Sequence, residues 1–462
     1  MNLHGSHPKY RASTTNWLCC RNRSASPGRS RAMTSEEDAG LPAAQEAFVW
    51  IWLPGEVQPV IAGRIERDGN AHIFTYGRSY LERDGAIPIY SPELDLKRGA
   101  IAPDLPLDMA NCLRDGAPDA WGRRVIINRL TGLQGAAAND IDFDELTFML
   151  NSGSDRIGAL DFQRSADKYE PREQDNATLE ELQDAAGHVE RGEPIPPGLE
   201  KALFHGSSIG GARPKALIED DGTKFIAKFS ASNDTYAVVK SEYVAMRLAE
   251  KVGLNVAPVL RTQANGRDVL LVQRFDRAKI EGGWTRSAMV SALTMLELTE
   301  LQAHYASYVE LAQIVRARFV EPRETLRELF SRMVFNVLVG NTDDHARNHA
   351  ALWDGKALTL TPAYDICPQA RNGREVNQAM AVIAEDRRSL LEHCRLSASS
   401  FLLSDKDARE IVERQTSEII AGWAAVCDEA ELGEIDRAFL WRRQFLNDYA
   451  FEGYVDGVPA GL

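Results

Sequence analysis

Cysteine is scarce. The six in 462 residues (Cys19, Cys20, Cys112, Cys367, Cys394 and Cys427) include no C-x-x-C pair and fall far below the density of a secreted scaffold. That excludes a disulfide framework and fits a reducing, cytoplasmic location. Long apolar runs are missing too. Stretches such as residues 335–339 end well short of the ~18 residues a membrane span needs, so a soluble chain with no membrane partner is predicted. Acidic residues are absent from residues 1–33, which carry Lys9, Arg11, Arg21, Arg23, Arg29 and Arg31. This Ser-, Arg- and Pro-rich stretch has no apolar segment and reads as a disordered basic tail rather than a secretory signal. Basic charge is in deficit elsewhere: net charge is −14 even with that tail included. Such a body repels a phosphate backbone, so contact with DNA is expected only through a partner. No repeat of ~20–50 residues is visible, which excludes a solenoid.

What is present suggests several units, at ~100–200 residues per domain. Residues 48–53, 60–65 and 71–76 are aromatic and β-branched runs, the last two flanking Asp68-Gly69, a hairpin signal. A small antiparallel sheet is therefore predicted, followed by helices near residues 106–131 and 142–151. Residues 164–198 are charged and carry Pro171, Pro194, Pro196 and Pro197 around one short helix opened by Thr178 and Glu181, a capping-box pair. Beyond residue 200 come a glycine-rich turn, two strands, a helix, two strands and a mainly helical remainder, an α+β two-lobed order. The resulting division is a tail over residues 1–45, a β-rich domain over 46–165, a linker over 166–200, a nucleotide-binding region over 201–300 and a helical lobe over 301–455.

The segment Asn341-Thr-Asp-Asp-His-Ala-Arg-Asn348 follows a strongly apolar helix and precedes a hairpin that ends at Pro362-Ala-Tyr-Asp365. An Asp, an Asn five residues on, a hairpin and another Asp is the layout by which kinases hold a hydroxyl and metal ions. Asp and Asn also cap helix and hairpin ends, so this spacing alone leaves both readings open. Upstream, Ser207-Ser-Ile-Gly-Gly-Ala-Arg-Pro-Lys215 precedes two strands joined at Asp221-Gly222. Small residues there let backbone N–H groups close on a phosphate. Alternation in the second strand puts Thr223, Phe225, Ala227 and Phe229 on one face, Ile226 and Lys228 on the other. In the helix over residues 237–252, Glu242 interrupts an apolar stripe of Val238, Val239, Ala245, Met246 and Ala249. A carboxylate buried there is costly without a cation, and Lys228 is the natural partner. A strand Lys paired with a helix Glu is the second half of the kinase constellation.

With these residues in place the chain resembles the HipA-type serine/threonine kinases of bacterial toxin–antitoxin modules. The resemblance rests on residues 207–215, Val272-Gln-Arg-Phe-Asp-Arg277, residues 341–348 and Leu360-Thr-Pro-Ala-Tyr-Asp365. Leu113-Arg-Asp-Gly-Ala-Pro-Asp-Ala-Trp-Gly122 and Asp155-Arg-Ile-Gly-Ala-Leu160 resemble the family's first domain. It implies a kinase using ATP and Mg2+, with Asp343 as base, Lys228 and Glu242 as the phosphate-directed pair, and Asn348 and Asp365 as metal ligands. It implies a phosphate loop of Ile209, Gly210, Gly211, Ala212, Arg213, Pro214 and Lys215, an adenine hinge of Gln273, Arg274 and Phe275, and nucleotide contacts from His345 and Arg347. Ser208 matches the serine such kinases autophosphorylate. The partners implied are a small helix-turn-helix antitoxin (HipB-like), DNA through that antitoxin, and a protein acceptor such as an aminoacyl-tRNA synthetase. Asp344 stands where the best-known members have Gly, so two adjacent carboxylates compete for the role of base, and Asp344→Gly is expected to be tolerated. Two other functions use the same fold: a non-catalytic corepressor that binds the antitoxin, and a small-molecule kinase.

Overall fold

The computed structural model describes residues 43–132, 143–172, 177–191, 193, 208, 213–231, 234–371 and 373–457. The predicted tail lies outside the described residues up to residue 42, as do residues 209–212 of the glycine-rich loop. Strands β1 (Glu46–Ile51), β2 (Val60–Asp68), β3 (Ala71–Tyr76), β4 (Ala100–Ile101) and β5 (Leu160–Gln163) form an antiparallel sheet in the order β4-β3-β2-β1-β5. The turn between β2 and β3 closes on Gly69, whose φ of +61° a side chain would resist. In β3 the alternation buries His72, Phe74 and Tyr76. The helices of this first domain are Asn111–Arg114, Ala120–Thr131 and Glu145–Asn151.

A second sheet holds β6 (Lys215–Asp220), β7 (Thr223–Phe229), β8 (Val259–Ala264) and β9 (Arg267–Gln273), in the order β6-β7-β9-β8. Both hairpin turns, Asp221-Gly222 and Asn265-Gly266, have positive φ at both residues, which matches the right-handed twist of the flanking strands. Phe225, Ala227 and Phe229 pack with Val269, Leu271 and Leu182. Leu182 belongs to the helix Leu179–Arg191, opened by reciprocal bonds between Thr178 and Glu181. Its other face carries Ala185, Ala186 and Val189 onto Trp121 and Val125 of the first domain. Within the stretch read as a linker, this helix is thus a packed bridge.

The hairpin β10 (Arg277–Ile280) and β11 (Gly283–Arg286) leads into a three-stranded sheet of β12 (Ala288–Ser291), β13 (Ala350–Trp353) and β14 (Leu358–Leu360). Helices Tyr308–Arg318, Pro322–Val339 and Asp405–Glu429 build the remainder. Pro322–Val339 starts with Pro at its first position, where no intrahelical N–H is lost, and is buried from Leu329 to its end. One continuous apolar core runs from Ala47 and Phe162 through Val244 to Phe335 and Ile419, joining the five-, four- and three-stranded sheets. No described helix is long and apolar enough to cross a membrane.

Candidate active site

A cleft of about 240 Å³ opens between the β6–β9 sheet and the β12–β14 sheet. Its floor follows from the alternation in β7: the face opposite the Phe225 cluster presents Ile226 and Lys228 to the cleft. Lys228 Nζ donates to Glu242 Oε1 at 2.5 Å and also to Asp365 Oδ1. Glu242, in the helix Val238–Lys251, is only 4% exposed. Burial pushes its carboxyl above the usual range even with Lys228 beside it. Burial alone would lower the Lys228 ammonium, but Asp365 and then Glu242 outweigh it and hold the group charged. For Asp365, burial would raise the carboxyl; Lys228 and Lys215 reverse this and hold it at about 2. Asp365 also has φ +60°, a left-handed conformation that costs a non-glycine residue about 1–3 kcal/mol and clusters at functional sites.

The helix Pro322–Val339 ends on Gly340 at φ +69°, where a Cβ would approach Gln444 O at 2.8 Å. The chain leaves this cap directly into Asn341–Asn348, so a rigid buried helix fixes where the polar segment starts. Asp343 is exposed and is not among the residues that line the cleft, and Asp344 is 3% exposed. Asp344 Oδ2 accepts from the Tyr308 hydroxyl and lies 3.0 Å from His349 Nε2, so this carboxylate is part of the packed interior. Partial burial raises the Asp343 carboxyl above its usual value; His345 opposes the shift and the negative charge of Asp365 adds to it. Asn348 Nδ2 donates to Asp343 O at 3.3 Å, and Asn348 lines the cleft. His345 lines the same cleft, and its Nδ1 is buried with no hydrogen-bond partner among the described residues.

All three residues read as a nucleotide hinge, Gln273, Arg274 and Phe275, line the cleft, and the Phe275 ring stands 5.7 Å from that of Tyr364. The Arg274 guanidinium turns away into a buried ion cluster, bonding Asp276 at 2.8 and 2.9 Å and Asp155 Oδ1 at 3.0 Å. Arg277 meets the same Asp155 oxygen at 2.9 Å, and Lys224 meets its other oxygen at 2.5 Å. Burial works against the Asp155 charge, but these three cations and Arg286 hold it well below the usual carboxylate range. Of the glycine-rich loop, Arg213 pairs with Asp234 at 2.8 Å and Pro214 O accepts from Phe229 N at 3.1 Å. Lys215 pairs across the ladder with Lys228 and lines the cleft, and burial lowers its ammonium. Ser208 is 2% exposed, its hydroxyl 3.3 Å from Asp155 O.

Asn348 and Asp365 are hard oxygen donors that both line the cleft, the set magnesium takes when nucleotide phosphates and water complete its shell. No group of three His, Cys, Asp or Glu able to hold a metal exists among the described residues. The donor set therefore fits a metal carried in with a nucleotide better than a resident ion. Sequence reasoning missed the contribution of the first domain: Asp115, Ala117, Asp119 and Ile157 line the cleft. Burial pushes the Asp119 carboxyl up to about 6 despite Lys215 nearby. The only signal for these residues was that they fall within or beside the motifs at 113–122 and 155–160.

A strand Lys paired to a helix Glu, facing an Asp/Asn segment and a second Asp across a cleft, defines an α+β, two-lobed protein-kinase-like fold. Here a β-rich first domain forms one wall. The chain belongs to the HipA family: the HipA N-terminal domain profile matches residues 53–163 and the HipA-like C-terminal domain profile matches residues 207–423. The Shewanella oneidensis serine/threonine-protein kinase toxin HipA is 25% identical over 183 residues, 34% of this chain and 42% of that protein. Y4mE of Sinorhizobium fredii is 30% identical over 146 residues, 30% of this chain and 33% of that protein. The matched stretches thus cover less than half of either relative. In the solved complex of HipA, HipB and operator DNA from the Shewanella oneidensis MR-1 toxin–antitoxin system, the matching chain has a TM-score of 0.64 at 18% identity. The match takes in 86% of this chain and 95% of that one, which shows a shared fold.

Proposed function

We propose that this chain is an ATP-dependent protein serine/threonine kinase, the toxin member of a HipA/HipB-like module. The observation that carries the reading is Lys228 held between Glu242 and Asp365 on the floor of a cleft that Asn348 and His345 also line. In this reading the backbone around Gln273 and the Phe275 ring receive adenine, and Lys228 directs its ammonium at the phosphates. Magnesium, when bound, supplies charge neutralisation across those phosphates, and Asn348 and Asp365 would hold it. Asp343 accepts the proton of the acceptor hydroxyl as that oxygen bonds to the γ-phosphorus and the bond to ADP breaks. Its raised pKa suits this, because a base poised nearer neutrality combines ionisation with proton affinity. The protein acceptor is of the class that includes aminoacyl-tRNA synthetases, and a small helix-turn-helix antitoxin supplies the DNA contact that an acidic chain lacks.

Ser208 is the proposed site of self-phosphorylation. A phosphate there brings about −1.5 to −2 charges to a buried hydroxyl on the cleft wall, so the loop is expelled and ATP affinity falls. The test is incubation with Mg2+ and ATP followed by mass spectrometry of residues 205–215 and measured phosphate transfer to added protein. Wild type should transfer phosphate and Asp365→Ala, still folded, should lose about 10²–10³-fold. Transfer near wild type by Asp365→Ala, or none by wild type, overturns the reading.

A further inference from the structure

Asp115 links the first domain to the catalytic segment. Asp115 follows the short helix Asn111–Arg114 and is 7% exposed. Its Oδ2 accepts from Ser291 N at 2.8 Å and from Thr294 Oγ1 at 2.7 Å, while Oδ1 accepts from Ser291 Oγ at 2.8 Å and Arg347 Nη1 at 3.3 Å. Ser291 ends β12 and begins the turn whose Ala292 N donates to His349 O at 2.7 Å. Asp115 therefore grips the catalytic segment twice, by its Arg347 side chain and through the strand beside it. Arg347 in turn ties down the segment after β14: its carbonyl accepts from the Tyr364 hydroxyl at 2.7 Å, one residue before Asp365. Arg347 is also the neighbour of Asn348, so the chain of contacts runs from the first domain to both proposed metal ligands.

We propose that Asp115 is a positioning residue for phosphate transfer: it acts through Arg347 and Ser291 to hold Asn348 and Asp365 in register with one another. It lines the cleft, but its carboxylate oxygens are taken up by Ser291, Thr294 and Arg347. A carboxylate buried to this degree with four donors is well satisfied, and Asp115→Asn takes away one of the two acids that hold Arg347, the other being Glu300 at its Nη2, without opening a cavity. The effect belongs in the transfer step, because a small misplacement of groups that hold the reacting atoms costs rate while the adenine-side contacts of Gln273 and Phe275 are untouched. The inference rests on the kinase reading above.

The experiment compares wild type with Asp115→Asn, Arg347→Gln, the double variant and Thr294→Val, all checked for folding by thermal melting. Asp115→Asn should lower kcat by up to about 10²-fold with little change in the KM for ATP. The double variant should be no slower than Arg347→Gln alone, because the two residues act as one unit. Thr294→Val removes a hydrogen bond to the same carboxylate without touching Arg347, so it should melt earlier yet keep kcat. Should Asp115→Asn fail to fold, Asp115→Glu, which keeps the charge one methylene further out, takes its place and must show the same selective loss in kcat. Unchanged kcat, a loss confined to KM, or additive losses in the double variant overturn the proposal. If wild type transfers no phosphate the kinase reading falls, and amide exchange of residues 345–349 then decides separately. Faster exchange in Asp115→Asn supports the hold, and unchanged exchange overturns it.

Discussion

Asp343 and Asp344 are consecutive in the chain and meet opposite environments, one exposed and one packed against Tyr308 and His349. Asp343→Asn should lower phosphate transfer by about 10²–10⁴-fold, the usual contribution of a general base. Because a base works only when deprotonated, and burial raises this carboxyl, the rate should fall as pH drops through a value above the ordinary aspartate pKa. A pH profile of kcat that keeps its acid limb in Asp343→Asn would refute the assignment. The expectation that Asp344→Gly is harmless is corrected by the burial of Asp344. Removing it strands the Tyr308 hydroxyl and the His349 ring, at about 1–3 kcal/mol for each polar group left without a partner. Thermal melting of Asp344→Gly should show that loss.

Among the elements, the helix Pro322–Val339 and its glycine cap set where the catalytic segment begins. Gly340→Ala forces a Cβ into the left-handed region and against Gln444 O, Cα and C at 2.8, 3.1 and 3.2 Å. The backbone alone costs about 1–2 kcal/mol, and the collision with main chain adds to it. The variant should melt earlier and lose activity together, whereas unchanged melting would mean that the cap relaxes. This helix was legible because its apolar residues cover more than one face, and β6 and β7 because Asp221-Gly222 stands between them. The Lys228–Glu242 pair was legible for a specific reason: one acid within an apolar helical stripe demands a cation. The burial of Asp344 was not legible, since two adjacent acids have the same chemistry and their fates depend on Tyr308, 36 positions away. The short helix expected within the proline-rich linker is there, but its packing was not legible, because the apolar partners of Ala185 and Val189 lie in another domain.

Across the whole molecule, Asp155 joins the first domain to Lys224, Arg274 and Arg277 of the nucleotide-side lobe. Asp155→Ala leaves those buried cations without their shared anion, and breaking such a cluster from one side costs about 3–5 kcal/mol. The Asp155 carboxyl is depressed in the folded state, so its stabilisation is present above the ordinary aspartate pKa and is lost as pH falls through the lower folded value. Acid titration of thermal stability should therefore be less steep in Asp155→Asn than in wild type, and equal slopes would contradict this account. None of these links was readable from spacing, because each spans 69 residues or more and no periodicity carries that distance.

The two acids Asp115 and Asp155 have a consequence for inheritance. They anchor the segment matched by one family profile to basic residues in the segment matched by the other. Gene shuffling that brings in a foreign residues 53–163 would thus give a working chimera only when the donor carries acids at both positions, so the two halves are expected to travel through evolution as a single unit.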